Sequence, residues 1–172
     1  MAIVTDLNYI RKMAQRRDRE NMRFRTFLKG HDLGRDEIDE IVHEIYEKVA
    51  AQIDCTQCAN CCIKLNTSVD EGDIQRLAQG LKITTDEFKE RFVVPDRDRP
   101  YRMIINGLPC PFLKDKRCTQ YEYRPEECRS YPNLHKEDFV SRLFGVIDNY
   151  AFCPIVFNAY EQLKSELWYP SR

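Results

Sequence analysis

The stretch CTQCANCC, residues 55–62, sets four cysteines in eight positions. Thiols at that density oxidise and cross-link unless something holds them. The step Cys-x-x-Cys occurs twice in register, as Cys55–Cys58 and Cys58–Cys61, and Cys62 follows directly. Such a step lets two sulfurs reach one metal ion while the intervening backbone amides turn towards them. Adjacent side chains diverge, so Cys61 and Cys62 suit two metals, or two atoms of one cluster, better than a single tetrahedral ion. Cys110, Cys118, Cys128 and Cys153 bring the total to 8. Thiolate is a soft ligand that selects zinc, copper(I) or iron in clusters. Eight thiolates match two four-coordinate zinc sites, or one iron–sulfur cluster with four ligands over.

Disulfides are the competing use of eight cysteines, and the rest of the chain argues against them. A fold of 172 residues buries about 70% of its unfolded surface and needs no staples merely to exist. The N-terminus MAIVTDLNYIRKMAQRRD lacks the apolar core of a secretory signal, and no run of about 18 apolar residues marks a membrane span. The expected compartment is therefore the cytosol, where thiols stay reduced. Lys plus Arg is 27 and Asp plus Glu is 28, for a net charge of -1. A dedicated nucleic-acid binder would show a basic excess, so nucleic acid is not the expected partner. RKMAQRRDR (11–19) is a local basic patch, and the amphipathic stretch 10–28 is a candidate protein- or RNA-docking helix.

Outward from the cluster, the apolar periodicity predicts helices. In DEIDEIVHEIYEKVAAQI (36–53), Ile38, Ile41, Val42, Ile45, Val49 and Ile53 follow the spacing of one buried face. This helix runs into Cys55. A long helix over 5–29, stopped by Gly30, precedes it. Ser68 and Glu71 form a capping box for a short helix stopped at Gly80, and Thr84 with Glu87 repeats the device. YRMII-NG-LPCPFL (101–113) reads as a hairpin about Asn106–Gly107, and 114–121 turns back again. Pro125, Glu126 and Glu127 open another short helix. Residues 153–168 form the last helix, with Val156, Tyr160, Leu163 and Leu167 on one side. The fold class is mainly α: a cysteine-rich, metal-organised domain (54–172) with a small hairpin and long loops, closed by the C-terminal helix and preceded by a helical segment (1–53).

The ordered motifs resemble a known family. Cys55-Thr-Gln-Cys58-Ala-Asn-Cys61-Cys62 is followed by Asp73, Ile74 and Leu77 on a short helix. Next come Cys110-Pro-Phe-Leu, Cys118-x-x-Tyr121, Arg124-Pro125-x-x-Cys128-Arg129-x-Tyr131-Pro132 and Cys153-Pro154. Over residues 55–155 this is similar to the CxxCxxCC cysteine-cluster family, the YkgJ-like zinc- or iron-chelating domain. A glycine common in the family before the paired cysteines is Asn60 here. The resemblance implies metal binding in a bacterial or archaeal cytosol. It does not imply one reaction: some relatives are described as iron–sulfur oxidoreductases, and a flagellin lysine methylase carries a similar module.

All eight cysteines are thus candidate metal ligands. Arg124 and Arg129 flank Cys128 and are candidates to support it, by neutralising thiolate charge or by pairing with Glu126, Glu127 or backbone carbonyls. Tyr121 and Tyr131 are candidates to donate to sulfur or to pack beneath the loop. His31, His43 and His135 are scattered and unnecessary as ligands. Phe144, Tyr150, Phe152, Phe157 and Trp168 are expected in the core. The expected function is metal binding, with zinc or an iron–sulfur cluster in a structural or redox role. An iron–sulfur oxidoreductase, or a protein-modifying enzyme working with a partner, is the alternative. The expected partners are metal ions and a protein docking on helix 5–29, with no membrane.

Overall fold

The computed structural model describes residues 2–169. In chain order its helices and strands are α1 (Leu7–Arg16), α2 (Asp18–Lys29), α3 (Arg35–Ala50), α4 (Cys55–Cys58), α5 (Asn60–Lys64), α6 (Glu71–Leu81), α7 (Thr85–Phe92), β1 (Val93–Pro95), β2 (Met103–Ile105), β3 (Leu113–Lys114), β4 (Arg117–Cys118), α8 (Glu126–Ser130), α9 (Leu143–Tyr150) and α10 (Pro154–Leu167). Two 3-10 turns, Tyr121–Tyr123 and Phe139–Arg142, complete the set. The fold is mainly α, as the sequence predicts. The chain forms two compact units, one of the described residues up to Asp54 and from Pro132 onward, the other Cys55–Tyr131. The C-terminal helix α10 therefore shares a unit with α1–α3. The last three residues of the 54–172 stretch lie outside the described residues.

In the first unit, α10 packs along α3, with α1 and α9 against it. Ile38, Val42, Ile45 and Val49 of α3 are buried, as their spacing predicts, opposite Val156, Tyr160 and Leu163 of α10. The single helix expected over 5–29 is two, broken at Arg17, whose backbone (φ -100°, ψ 11°) leaves the helical region. A buried polar network ties the unit's ends together. The Glu161 carboxylate accepts from Tyr150 Oη at 2.7 Å and Lys164 Nζ at 2.8 Å, and it pairs with Arg17. Lys164, 2% exposed, also donates to Glu20 at 2.7 Å. Burial and the Glu161 contact both push the Tyr150 hydroxyl up, so it stays a donor. Tyr150 and Phe157 are in the core, whereas Phe144, expected there, is 59% exposed beneath the Arg25 guanidinium.

In the second unit a small core of Val69, Ile74, Leu77, Ala78, Phe88, Ile105 and Phe112 lies between α6, α7 and two hairpins. The Thr84–Glu87 box caps α7 as predicted. At α6 the cap is Asp70 with Asp73, two residues on from the expected Ser68; Ser68 is instead engaged by Glu127. The helix passes through Gly80 and stops at left-handed Lys82 (φ 58°). Gly80 is small for another reason. A Cβ there would stand 2.6 Å from Tyr123 Cδ2 and collide with Gln120 Oε1. The hairpins also differ in register from expectation. Met103–Ile105 pairs with Val93–Pro95 rather than across Asn106–Gly107, because Pro109 and Pro111 deprive the following segment of ladder donors. The second hairpin, Leu113–Lys114 with Arg117–Cys118, turns at Asp115 and Lys116, both at positive φ (50° and 61°), the twist a two-residue turn requires.

Two outcomes follow from this packing. Lys164→Met leaves two carboxylates short of a buried cation and lowers unfolding stability by on the order of 3 kcal/mol; an unchanged urea midpoint would show the network to be inert. Gly80→Ala should destabilise the protein although alanine favours helix over glycine by about 1 kcal/mol, because the Tyr121–Tyr123 turn must move. A raised melting temperature would show that the turn yields freely.

Candidate metal centre

Seven of the eight cysteines lie in the second unit, and the fold draws four of them together from distant parts of the sequence. The cluster motif itself is split. Ala59 adopts a left-handed backbone (φ 51°), which separates α4, carrying Cys55 and Cys58, from α5, carrying Cys61 and Cys62. A side chain at such a φ costs on the order of 1 kcal/mol. Ala59 is 6% exposed, so surrounding packing sustains it. On α5 the adjacent thiols are in contact: Cys61 hydrogen-bonds to Cys62.

The carbonyl of Cys62 accepts from the Cys110 amide at 2.8 Å, joining the cluster motif to a segment far along the chain. Cys110 and Cys118 both pack against the edge of the second unit's core. Cys118 ends β4, opposite Leu113, and α4 lies against the same strand. Cys128 is on α8, with Thr67 Oγ1 3.5 Å from its sulfur.

Helix α8 is held from both sides by carboxylates. Asp73, 4% exposed, accepts from the Glu126 amide at 3.0 Å while pairing with Arg76 and capping α6. Glu127 accepts from the Ser68 hydroxyl at 2.7 Å and from Arg102 at 2.6 Å, and it also takes the Ser68 amide. Thr67, Arg102 and Glu127 are supports that the sequence reading missed. Asp73 entered it only as part of a motif. The available signal was the run of charged residues on either side of Cys128, but the partners are 25 to 61 residues away.

The thiols feel one another. Burial pushes Cys110 up to about 11, aided by Cys62, Cys118 and Cys128. Cys128 keeps exposed surface, yet desolvation around its sulfur also pushes it up to about 11, with Cys62 and Cys118 contributing. Cys118 is raised by burial and by Cys62, and is eased downward by the Gln120 backbone amide and by Arg124. Cys62 is the exception, lowered to about 7 by the hydrogen bond from Cys61. Such a set disfavours four separate thiolates. A soft cation would relieve both the desolvation and the mutual repulsion, so the donor chemistry fits zinc or iron. Among the described residues, no three His, Cys, Asp or Glu side chains already stand in coordinating positions; the thiols are gathered and must draw closer to share an ion.

The flanking arginines mostly brace backbone. Arg129 donates through Nε to the Arg124 carbonyl at 3.0 Å and also reaches the Glu122 carbonyl. Arg124 donates to the Tyr121 carbonyl at 2.6 Å with its guanidinium 3.7 Å from the Tyr121 ring centroid. Neither pairs with Glu126 or Glu127. Tyr121 is 41% exposed, and Tyr131 caps α8 through its amide. The second unit contains no histidine. Cys153, 7% exposed, is at the N-cap of α10 in the first unit. No disulfide joins any of the eight cysteines.

No curated protein and no solved structure matches this chain. Among protein families, residues 54–144 match CxxCxxCC, described as a putative zinc- or iron-chelating domain. The matched segment is more than half of the 172 residues. It takes in the seven cysteines of the second unit and stops short of Cys153, so it is narrower at its end than the 55–155 of the sequence reading. The chain belongs to the CxxCxxCC family.

Proposed function

We propose that the second unit is a thiolate metal centre in which Cys62, Cys110, Cys118 and Cys128 form the inner ligand set for zinc or iron. Cys55, Cys58 and Cys61 stand on α4 and α5 as the ligands of a second ion or of a cluster's remaining atoms. Cys153 has only its place in the cysteine pattern to recommend it. The observation that carries this reading is the mutual influence of four thiols brought from four segments, with the Cys62–Cys110 backbone bond between two of them.

A bound ion would supply cross-linking to the loops, and an iron–sulfur cluster would add one-electron chemistry. This chain's own residues do the rest. Asp73 and Glu127 fix α8, Arg124 and Arg129 fix the loop before it, and Arg124 lends positive charge near Cys118. Tyr121 supports Arg124, and Tyr131 closes α8. The role is structural in the first instance. A redox role, as in an iron–sulfur oxidoreductase or a protein-modifying enzyme with a partner, is the second reading. It is favoured by the exposure of Cys55 and Cys128, which would leave a cluster edge open to solvent. The default setting for either is the reducing cytosol.

Protein purified without oxygen should carry at least one equivalent of zinc or iron by elemental analysis. Iron with labile sulfide and a visible band bleached by dithionite would select the redox reading; colourless zinc protein would remove it. Folded protein with no metal and eight reactive thiols would sink both. Cys128→Ser should lower metal content and raise hydrogen exchange across 95–131, while α3 keeps its protection because its apolar face is packed independently. Full metal content with unchanged exchange would make Cys128 a packing thiol.

A further inference from the structure

Charge is distributed far more unevenly than its near-zero total suggests. Between Leu7 and Lys29 there are eight Lys or Arg and two Asp or Glu. Six of the eight are arginine. Two of those are used internally: Arg17 pairs with Glu161, and Arg25 covers Phe144. Lys12 and Arg16 on α1, and Arg19 and Arg23 on α2, are all exposed. Each pair has the four-residue spacing that sets side chains one above the other, about 6 Å apart along the axis. Both pairs face away from the buried residues of their helices, Ile10 on α1 and Asn21, Phe24 and Leu28 on α2. Among the described residues no ion pair or hydrogen bond engages any of these four side chains.

We propose that this face of α1 and α2 binds the phosphate backbone of duplex DNA through charge, without reading sequence. The chemistry of the face selects that occupant. Of its other exposed residues, Asn8, Gln15 and Thr26 are polar, and the non-polar ones are single side chains, Tyr9 on α1 (46% exposed) and Met22 on α2 (36%), short of the packed aromatic and apolar centre on which a protein interface depends. A membrane-surface helix needs a free apolar face to insert, but here Ile10, Phe24 and Leu28 are 0%, 0% and 2% exposed. Single strands are held by aromatic stacking as well as charge. Tyr9, the nearest exposed ring, is turned edge-on to Phe157. What the face offers is three guanidinium forks and the Lys12 ammonium at helical spacing, which suit phosphate oxygens, and duplex DNA presents phosphate at about one charge per 1.7 Å. The sequence expectation against nucleic acid rested on total charge, and this face is its local exception.

The test uses the full chain, a labelled 30-base-pair DNA duplex of arbitrary sequence, and fluorescence anisotropy from about 20 to 200 mM salt. Four phosphate contacts predict that log K falls against log salt with a slope of roughly -3 to -4. The variant K12Q/R16Q/R19Q/R23Q should bind at least tenfold more weakly with a slope near zero, and with unchanged metal content and melting temperature. Scrambling the duplex sequence should change nothing. No binding at low salt, or equal binding by the variant, would overturn the proposal. So would binding to phosphatidylserine vesicles or to poly-glutamate in place of DNA, the first assigning the face to a membrane surface and the second to an acidic protein. Because the metal centre is in the other unit, failure here leaves the metal reading intact, and a metal-free protein would leave this one intact.

Discussion

The second unit depends on where one buried carboxylate is satisfied. Asp73 stands at the start of α6 and completes its own helix cap, and the same group receives the first amide of α8. A carboxylate buried without donors costs several kcal/mol, so its partners must arrive together or not at all. One of them is the backbone amide of Glu126, two residues before Cys128. The position of a cysteine is thus set by a residue that never touches sulfur. Glu127 repeats the arrangement on the other side of the helix through Ser68 and Arg102. Neither carboxylate is a metal ligand in the proposed centre, yet together they hold the helix that carries Cys128.

Placing thiols by means of hydrogen bonds has an energetic reason. The second unit's apolar core is a cluster of seven buried residues, and much of its chain is loop or very short helix. Ordering a residue costs about 1–2 kcal/mol in backbone entropy, which so small a core offsets poorly. Polar anchors are the remaining source of order seen in the fold, and a soft cation held by the thiols would act on the same segments. Cys110 and Cys118 join the two modes, since their side chains finish the apolar core on one side and face the other thiols on the other. The first unit needs no such help, because α3 and α10 meet over long apolar faces.

The parts legible in the sequence are those with short-range causes. The apolar spacing from Ile38 to Val49, the Thr84–Glu87 box and the glutamates opening α8 each depend on neighbours within a turn or two. The cysteine motif was readable for the same reason, since spacing alone carries its chemistry. What the sequence could not convey was pairing at a distance. Asn106–Gly107 carries a strong turn signal, but the strand beside Met103–Ile105 comes from Val93–Pro95. Ser68 and Glu71 have the form of a cap, but Asp70 and Asp73 hold that place because Ser68 is claimed by Glu127, 59 residues on. Gly80 resembles a helix stop and is instead a gap for Tyr123. Phe144 is aromatic yet exposed, because Arg25 supplies the cover that a core would have given.

The division of the first unit into two stretches of sequence also orders events in time. The apolar face of α3 is finished well before its partner α10 exists, since everything from Cys55 to Tyr131 must be made first. At ribosomal rates that interval is on the order of ten seconds. Meanwhile Ile38, Val42, Ile45 and Val49 have no α10 to cover them. The second unit, which is one continuous stretch of chain, can be complete by then. A nascent chain stalled before α10 would therefore carry both a finished cysteine unit and an uncovered helix, which is the form in which a chaperone would meet it.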